Sequence, residues 1–275
     1  FSDDFESYPV GTDLHGQNGW TGWENSPAAT AFTTDAQASS GTKSVLINST
    51  SDLVQMFTTN PQNKYTFRVK MYMTSAGLGE PYFILLNDYQ NVAGYPHHWA
   101  TQVRFRRNAP TPAPANVAYD NMEFALLDQV LGLVPGFTPR EIMFDQWVEI
   151  RVEMDLCADT QKVYYNNELL VDYTWKRDDG TGNFGPAAVA ALDLYGNTSD
   201  GTYFDDVSFT DDGPGNCPSQ CSAVDLNSDG TVDFNDYLEF LNLYNSNDLR
   251  VDFNGDGVVD FNDYLEFLNL YNACQ

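Results

Sequence analysis

The sequence predicts a mainly β protein, an antiparallel sandwich, with a small α-helical module at its C-terminal end. Three observations predict it. Short runs of alternating apolar and polar residues fill the chain to about Thr210, and a Gly- and Pro-rich stretch, "DDGPGNCPSQC", follows at 211–221. After it, a unit of twenty-two residues is written twice, at 224–245 and 251–272, with nineteen positions identical.

The strand pattern is clearest in "KYTFRVKMYM", "WVEIRVEMDL" and "KVYYNNELLV". In the second, Val148, Ile150, Val152 and Met154 fall on one face and Glu149, Arg151 and Glu153 on the other, the period of two of a half-buried strand. Repeated short strands of this kind build sandwiches or barrels. The expected organisation is a sandwich over 1–210, a linker over 211–220 and a helical module over 221–275. A long apolar segment, 125–140, behind the Pro-rich "APTPAPA", is expected to be buried or to form a patch awaiting a partner.

Past Cys221 the period becomes helical, with Phe234, Tyr237, Leu238, Leu241 and Tyr244 in the first copy and Phe261, Tyr264, Leu265, Leu268 and Tyr271 in the second. Each copy therefore reads as a loop followed by one helix. Asp225, Asn227, Asp229, Thr231, Asp233 and Asp236 stand at loop positions 1, 3, 5, 7, 9 and 12, and Asp252, Asn254, Asp256, Val258, Asp260 and Asp263 repeat them. With glycine at position 6, this is the oxygen-ligand spacing of an EF-hand loop, in which Thr231 and Val258 offer backbone carbonyls. Several carboxylates held so close repel one another, so metal binding and folding are expected to be coupled.

The formal charge of −26 argues against nucleic acid, whose phosphates require clustered Lys and Arg, and favours divalent cations as counterions. There is no apolar run of membrane-spanning length, so no membrane insertion is expected. The opening Phe1 reads as a mature end left by removal of an export signal, placing the protein outside the cell or on its surface. Four cysteines, Cys157, Cys217, Cys221 and Cys274, suit two disulfides better than a zinc site, with three connectivities open.

The repeated unit resembles the dockerin type I module, with Asp instead of Glu at the last ligand position, and is most similar to dockerin-like tails of planctomycete-type exported proteins. The resemblance implies two bound Ca²⁺, antiparallel helices and docking onto another protein. Phe234, Leu241, Phe261 and Leu268 occupy places where cellulosomal dockerins carry other residues, so they are the expected partner-binding positions for a different partner. Cys221 and Cys274 bracket the module, which makes them the expected clasp and leaves Cys157 to pair with Cys217.

"FSDDFESYPVGTDLHGQNGWTGW", "DQWVEIRVEMDLCADTQKVYYNNELL" and "ALDLYGNTSDGTYFDDVSF" resemble the concanavalin A-like lectin/glucanase (laminin-G-like) superfamily. That implies a jelly roll whose first and last strands are neighbours and whose concave sheet grips glycans. It also implies a third Ca²⁺ at Asp205, with Glu6 as helper. The Glu-x-Asp-x-x-Glu motif of its hydrolases is missing, so no catalytic residue is nominated. Trp20, Trp23 and Trp99 are the expected glycan platforms.

The reading that results is a non-catalytic, exported, calcium-binding structural protein. Its dockerin-like module is expected to dock on a protein partner, such as another copy of itself, and so to build a fibre or matrix. The alternative is a carbohydrate-binding lectin, or a polysaccharide-degrading enzyme, tethered to a surface complex. A concave cleft lined by exposed Trp and paired carboxylates is the feature that favours the glycan readings, whereas a cleft filled by another subunit's residues favours assembly.

Overall fold

A computed structural model describes residues 1–107, 117–120, 138–177, 182–216, 220–255 and 257–274. Most of the apolar segment 125–140, the stretch 109–115, Cys217 and Asp256 lie outside the described residues. The chain forms two compact units, Phe1–Gly215 and Asn216–Gln275.

The first unit contains strands β1 (Ser2–Asp3), β2 (Trp20–Gly22), β3 (Phe32–Thr34), β4 (Ser44–Ile47), β5 (Asp52–Met56), β6 (Asn63–Met73), β7 (Tyr82–Asp88) and β8 (His98–Arg106). It continues with β9 (Val117–Asp120), β10 (Arg140–Glu141), β11 (Trp147–Asp155), β12 (Thr160–Tyr165), β13 (Glu168–Tyr173), β14 (Ala191–Tyr195) and β15 (Thr202–Pro214). They pair into an eight-stranded sheet, ordered β13-β12-β11-β6-β15-β4-β3 with β1 beside β15, and a seven-stranded sheet, ordered β10-β9-β8-β7-β14-β5-β2. The pairings are antiparallel, so the sandwich expected from the alternating runs is what the chain forms.

The eight-stranded sheet is organised on β6, which pairs with β11 on one side and β15 on the other. Val148, Ile150, Val152 and Met154 of β11 enter the core, while Glu149 and Glu153 lie on the outer face in ion pairs with Arg68, Lys70 and Arg151. Those acids are thus a solvated face. The tight β12–β13 turn uses Asn166 and Asn167, both at positive φ, the backbone that a two-residue turn between right-twisted strands requires.

Two sequence expectations are corrected here. The segment 211–214 is the end of β15, paired with β6, and not linker, because its backbone continues the ladder to Asn63. Trp20 is fully buried and donates its Nε1–H to Asp3 Oδ2 at 2.9 Å, so it cannot serve as a glycan platform.

In the second unit a five-residue helix, Gln220–Val224, precedes the first loop, and the repeat helices run Phe234–Asn245 and Phe261–Ala273. Their core is Phe240 stacked on Phe267, with centroids 4.0 Å apart, surrounded by Val224, Leu243 and Val251. The helices begin with matched capping boxes: Asp233 and Asp260 are the N-caps, and Asp236 and Asp263 reach back to the cap backbone. Among the described residues no helix is long and apolar enough to cross a membrane.

Cys221 and Cys274 are disulfide-bonded. Cys157 is bonded too, while Cys217, its expected partner, lies outside the described residues. The Cys221–Cys274 bridge closes a sequence separation of 53 residues, for which loop-closure entropy in the unfolded chain gives about 4 kcal/mol. Replacing both cysteines by serine is expected to lower the stability of the helical unit by up to that amount, read as an earlier loss of helical circular dichroism in urea.

Candidate functional site

The seven-stranded sheet is apolar on both faces. Phe83, Leu85, Leu192 and Leu194 point into the sandwich core. The alternate residues of the same strands build a second cluster on the outer face, with Val54, Ile84, Leu86 and Ala191 buried and Trp23, Tyr82, Trp99 and Tyr195 packed around them. That face holds a concavity of about 270 Å³ lined by Trp23, Asp52, Tyr82, Ile84, Trp99, Gln102, Asp193 and Tyr195.

Register places its two acids together. Asp52 of β5 lies opposite Tyr195 of β14, and Val54 lies opposite Asp193, so the two carboxyl groups are diagonal neighbours on one face. Asp193 is only 3% exposed. No donor among the described residues reaches Asp52 Oδ1 or Asp193 Oδ1. Each carboxyl lies within the electrostatic reach of the other, and the interaction bears on how both ionise. Burial, reinforced by the Asp52 charge, pushes the Asp193 carboxyl well above its ordinary value, and burial raises Asp52 as well.

A polar and aromatic rim stands beside the pair. His97 stacks on Tyr89 at 4.6 Å between centroids and meets the Trp23 edge at 4.5 Å, with its Nε2 3.3 Å from Glu24 Oε1. Tyr89 donates to Asn91 Oδ1 and accepts from the Glu24 N–H, both at 2.8 Å. Glu24 and Asn25 both have positive φ, a strained turn held by these contacts. Desolvation pushes the Tyr89 hydroxyl up to about 12. The neighbouring His98 is a buried structural residue, tied to Asn87 and to the Asn183 carbonyl.

Of the expected platforms, Trp23 and Trp99 therefore come together, and Asp52, Asp193, Tyr82, Gln102 and Tyr195 join them without having been singled out from the sequence. The usable signal is the lone Asp in the apolar run "AVAALDLY": an acid whose strand neighbours are all core-type has to be buried in some compensating setting.

Glu6 and Asp205 serve the segment 39–43 between β3 and β4. Glu6 Oε1 accepts from the Thr42 and Lys43 N–H groups at 2.8 and 2.6 Å, and Asp205 Oδ2 from Ser39 and Ser40 at 2.7 and 3.2 Å. Asp205 is fully buried, and desolvation raises its carboxyl to about 6 despite those donors. The partners of both acids among the described residues are backbone N–H and hydroxyl donors and the Lys43 ammonium, so the two residues act as anchors for this loop.

In the C-terminal loops the two copies share their internal bonding. Asp225 Oδ2 accepts from Gly230 N at 2.9 Å, and Asp252 Oδ2 from Gly257 N at 2.8 Å. Gly230 and Gly257 have φ of 86° and 83°, which a side chain would oppose. Asn227 and Asp229 accept from the N–H groups of Asp229 and Thr231. The Asp236 and Asp263 carboxylates are fully buried, each accepting two loop N–H groups, from Asn227 and Asp233 and from Asn254 and Asp260. Desolvation alone would raise Asp263, yet the N–H donors win and hold it below its ordinary value. Among the described residues no group of three or more Asp, Glu, His or Cys side chains is gathered as a metal cluster. The expected set also draws on Asn227, Asn254, two carbonyls and Asp256.

The expected partner face is corrected in part. Phe234 and Phe261 are exposed, at 64% and 63%, with Leu238 and Leu265 exposed beside them. Leu241 and Leu268 pack against the unit's own core. The inward position of Asp236 sets the helix rotation: 236, 240 and 243 face in, and 234 and 238 must face out.

No family model and no curated protein matches the chain. Among solved structures, the chain is similar to domain 4 of AbnA, a GH43 extracellular arabinanase from Geobacillus stearothermophilus, solved in complex with arabinotriose. That match has 16% identity over 71% of this chain and 82% of that one, with a TM-score of 0.40. The carbohydrate recognition domain of Emp47p matches at 13% identity over 74% and 94%, TM-score 0.38. The carbohydrate-binding module CBM66 from Bacillus subtilis matches at 12% over 70% and 94%, TM-score 0.37. Overlaps this low assign neither a family nor a ligand. The sandwich rests on its own strand pairing.

The buried acid pair has a signature in stability. Because its folded-state value is raised, Asp193 favours the folded protein at low pH and loses that contribution as pH rises through its folded value. Asp193→Asn is therefore expected to become progressively more stable relative to the parent between pH 4 and pH 8. Urea denaturation followed by fluorescence checks this, since all five tryptophans belong to the first unit.

Proposed function

We propose that this chain is a non-catalytic, exported saccharide-binding protein whose C-terminal repeats bind two Ca²⁺ and dock it to a protein partner. The observation that carries the first part is the concavity on the outer face of the seven-stranded sheet. Two tryptophans and two tyrosines offer faces for stacking, and Asp52, Asp193 and Gln102 offer hydrogen-bonding groups in an otherwise apolar wall. Paired carboxylates and half-buried Trp23 and Trp99 line this cleft, which favours the glycan reading over pure assembly.

The absence from the sequence of the Glu-x-Asp-x-x-Glu motif of retaining hydrolases supports binding over hydrolysis.

For the C-terminal unit, the support is the pair of buried carboxylates, Asp236 and Asp263, which have N–H donors but no Lys or Arg in any described ion pair. A buried carboxylate without a cation is costly, and a hard cation relieves it. Asp225, Asn227, Asp229, Asp236 and the Thr231 carbonyl would hold one Ca²⁺, with Asp233 assisting. Asp252, Asn254, Asp256, Asp263 and the Val258 carbonyl would hold the other, with Asp260 assisting. The ions supply charge neutralisation for folding and no chemistry.

The exposed Phe234–Leu238 and Phe261–Leu265 pairs support docking to a protein, because an apolar pair repeated on two similar helices is costly to leave in water. Another copy of the chain, and hence a fibre, is one outcome of testing that docking.

Trp23→Ala and Trp99→Ala are each expected to weaken oligosaccharide binding at least tenfold in titration calorimetry while leaving the fold intact. Equal affinity would remove the concavity as the binding site. Excess EGTA is expected to abolish most of the helical signal, and Ca²⁺ to restore it. Sedimentation with and without Ca²⁺, repeated on a Phe234→Ser/Phe261→Ser double variant, is expected to show any association lost with either change.

A further inference from the structure

The described lining of the concavity contains two carboxyl groups and no Lys or Arg, in a chain of net charge −26. Its walls are the rings of Trp23, Tyr82, Trp99 and Tyr195, whose faces carry negative potential. Aromatic faces around a carboxyl pair stabilise a cation better than a neutral hydroxyl, and exclude a second anion.

Charges facing the pair come from each neighbouring element. Glu24 arrives from the turn after β2 and His97 from the loop before β8, and both act on Asp52. Tyr82 of β7 and Tyr195 of β14 line the walls, and desolvation followed by the two acids raises the Tyr195 hydroxyl. Arg104 of β8 lies 5.6 Å from the Tyr82 ring centre, and its guanidinium is engaged by Glu80. Asp193 is 97% removed from solvent, lines the concavity, and has an Oδ1 that no described protein donor meets, which leaves that oxygen for a ligand donor.

We propose that the concavity selects a saccharide unit carrying a free ammonium group, seated between the aromatic rings with the ammonium against Asp52 and Asp193. This rests on the saccharide reading above and narrows it to amino sugars. Because burial favours the protonated carboxyls and the cation favours the ionised ones, its binding releases a proton into solution.

The test is calorimetric titration of the full chain, with Ca²⁺ present, against a glucosamine oligomer and the N-acetylated oligomer of the same backbone. Working at pH 7 and about 0.15 M salt screens diffuse attraction of a cationic oligomer to the acidic chain. The expected result is at least tenfold tighter binding of the free amine, with an observed enthalpy that changes with the buffer's ionisation heat. The ratio is expected to fall toward one in Asp193→Asn and, independently, in the half-buried Asp52→Asn. Equal affinity for both oligomers, or a preference that survives both substitutions, overturns the proposal and leaves the saccharide site standing. Failure of both oligomers alongside Asp-dependent binding of tetramethylammonium upholds the cation site and overturns the saccharide reading. Failure of all three probes overturns both.

Discussion

A sheet that is apolar on both faces has to be covered twice, and that constraint shapes the first unit. The inner face of the seven-stranded sheet is met by the eight-stranded sheet, in a core running from Phe67 and Val69 to Leu192 and Leu194. Among the described residues no second sheet meets the outer face. It is covered in part by side chains from its own rim, Trp23 from the turn after β2, Tyr89 and His97 from the loop before β8, and Trp99. What they leave uncovered is the concavity, and the acids at its base are buried because the strands carrying them are otherwise hydrophobic. Burial there raises both carboxyl groups and so favours their protonated forms.

In the second unit the corresponding constraint is a buried carboxylate at the last loop position. Asp236 and Asp263 must face inward to receive the loop N–H groups, and this fixes the rotation of each helix. Phe240 and Phe267, four residues on, are thereby brought face to face, while Phe234 and Phe261, two residues before, are turned to solvent. One positional requirement thus produces both the core and the exposed apolar pairs. The disulfide at Cys221–Cys274 ties the ends of a unit too small to bury much surface of its own.

The strands and repeat helices were legible because their periods are local. Val148 to Met154 alternate without interruption, and β11 follows them; the repeated loops announce themselves by identity alone. The candidate site was only half legible. Trp23 and Trp99 could be nominated as aromatics, but nothing local distinguishes them from Trp20, which burial and the Asp3 contact assign to the core. Asp52 and Asp193 are 141 positions apart, by subtraction of their numbers, and become neighbours only through the register of β5 on β14. Register is a long-range property, set by which faces pack and not by residue type. The helix stripe was displaced for a similar reason: hydrophobic spacing alone could not know that a carboxylate held the inward position.

The most direct test of the account is the indole N–H spectrum of the ¹⁵N-tryptophan-labelled protein, titrated with a bound oligosaccharide. The five indoles report separately: Trp20 is fixed to Asp3, Trp175 to the Ala188 carbonyl, and Trp147 stands beside Tyr72 on the other sheet. The Trp23 and Trp99 signals are expected to move together and saturate at one affinity while those three stay in place. Movement of Trp147 with Trp23 and Trp99 unmoved would put the ligand on the wrong sheet and contradict it.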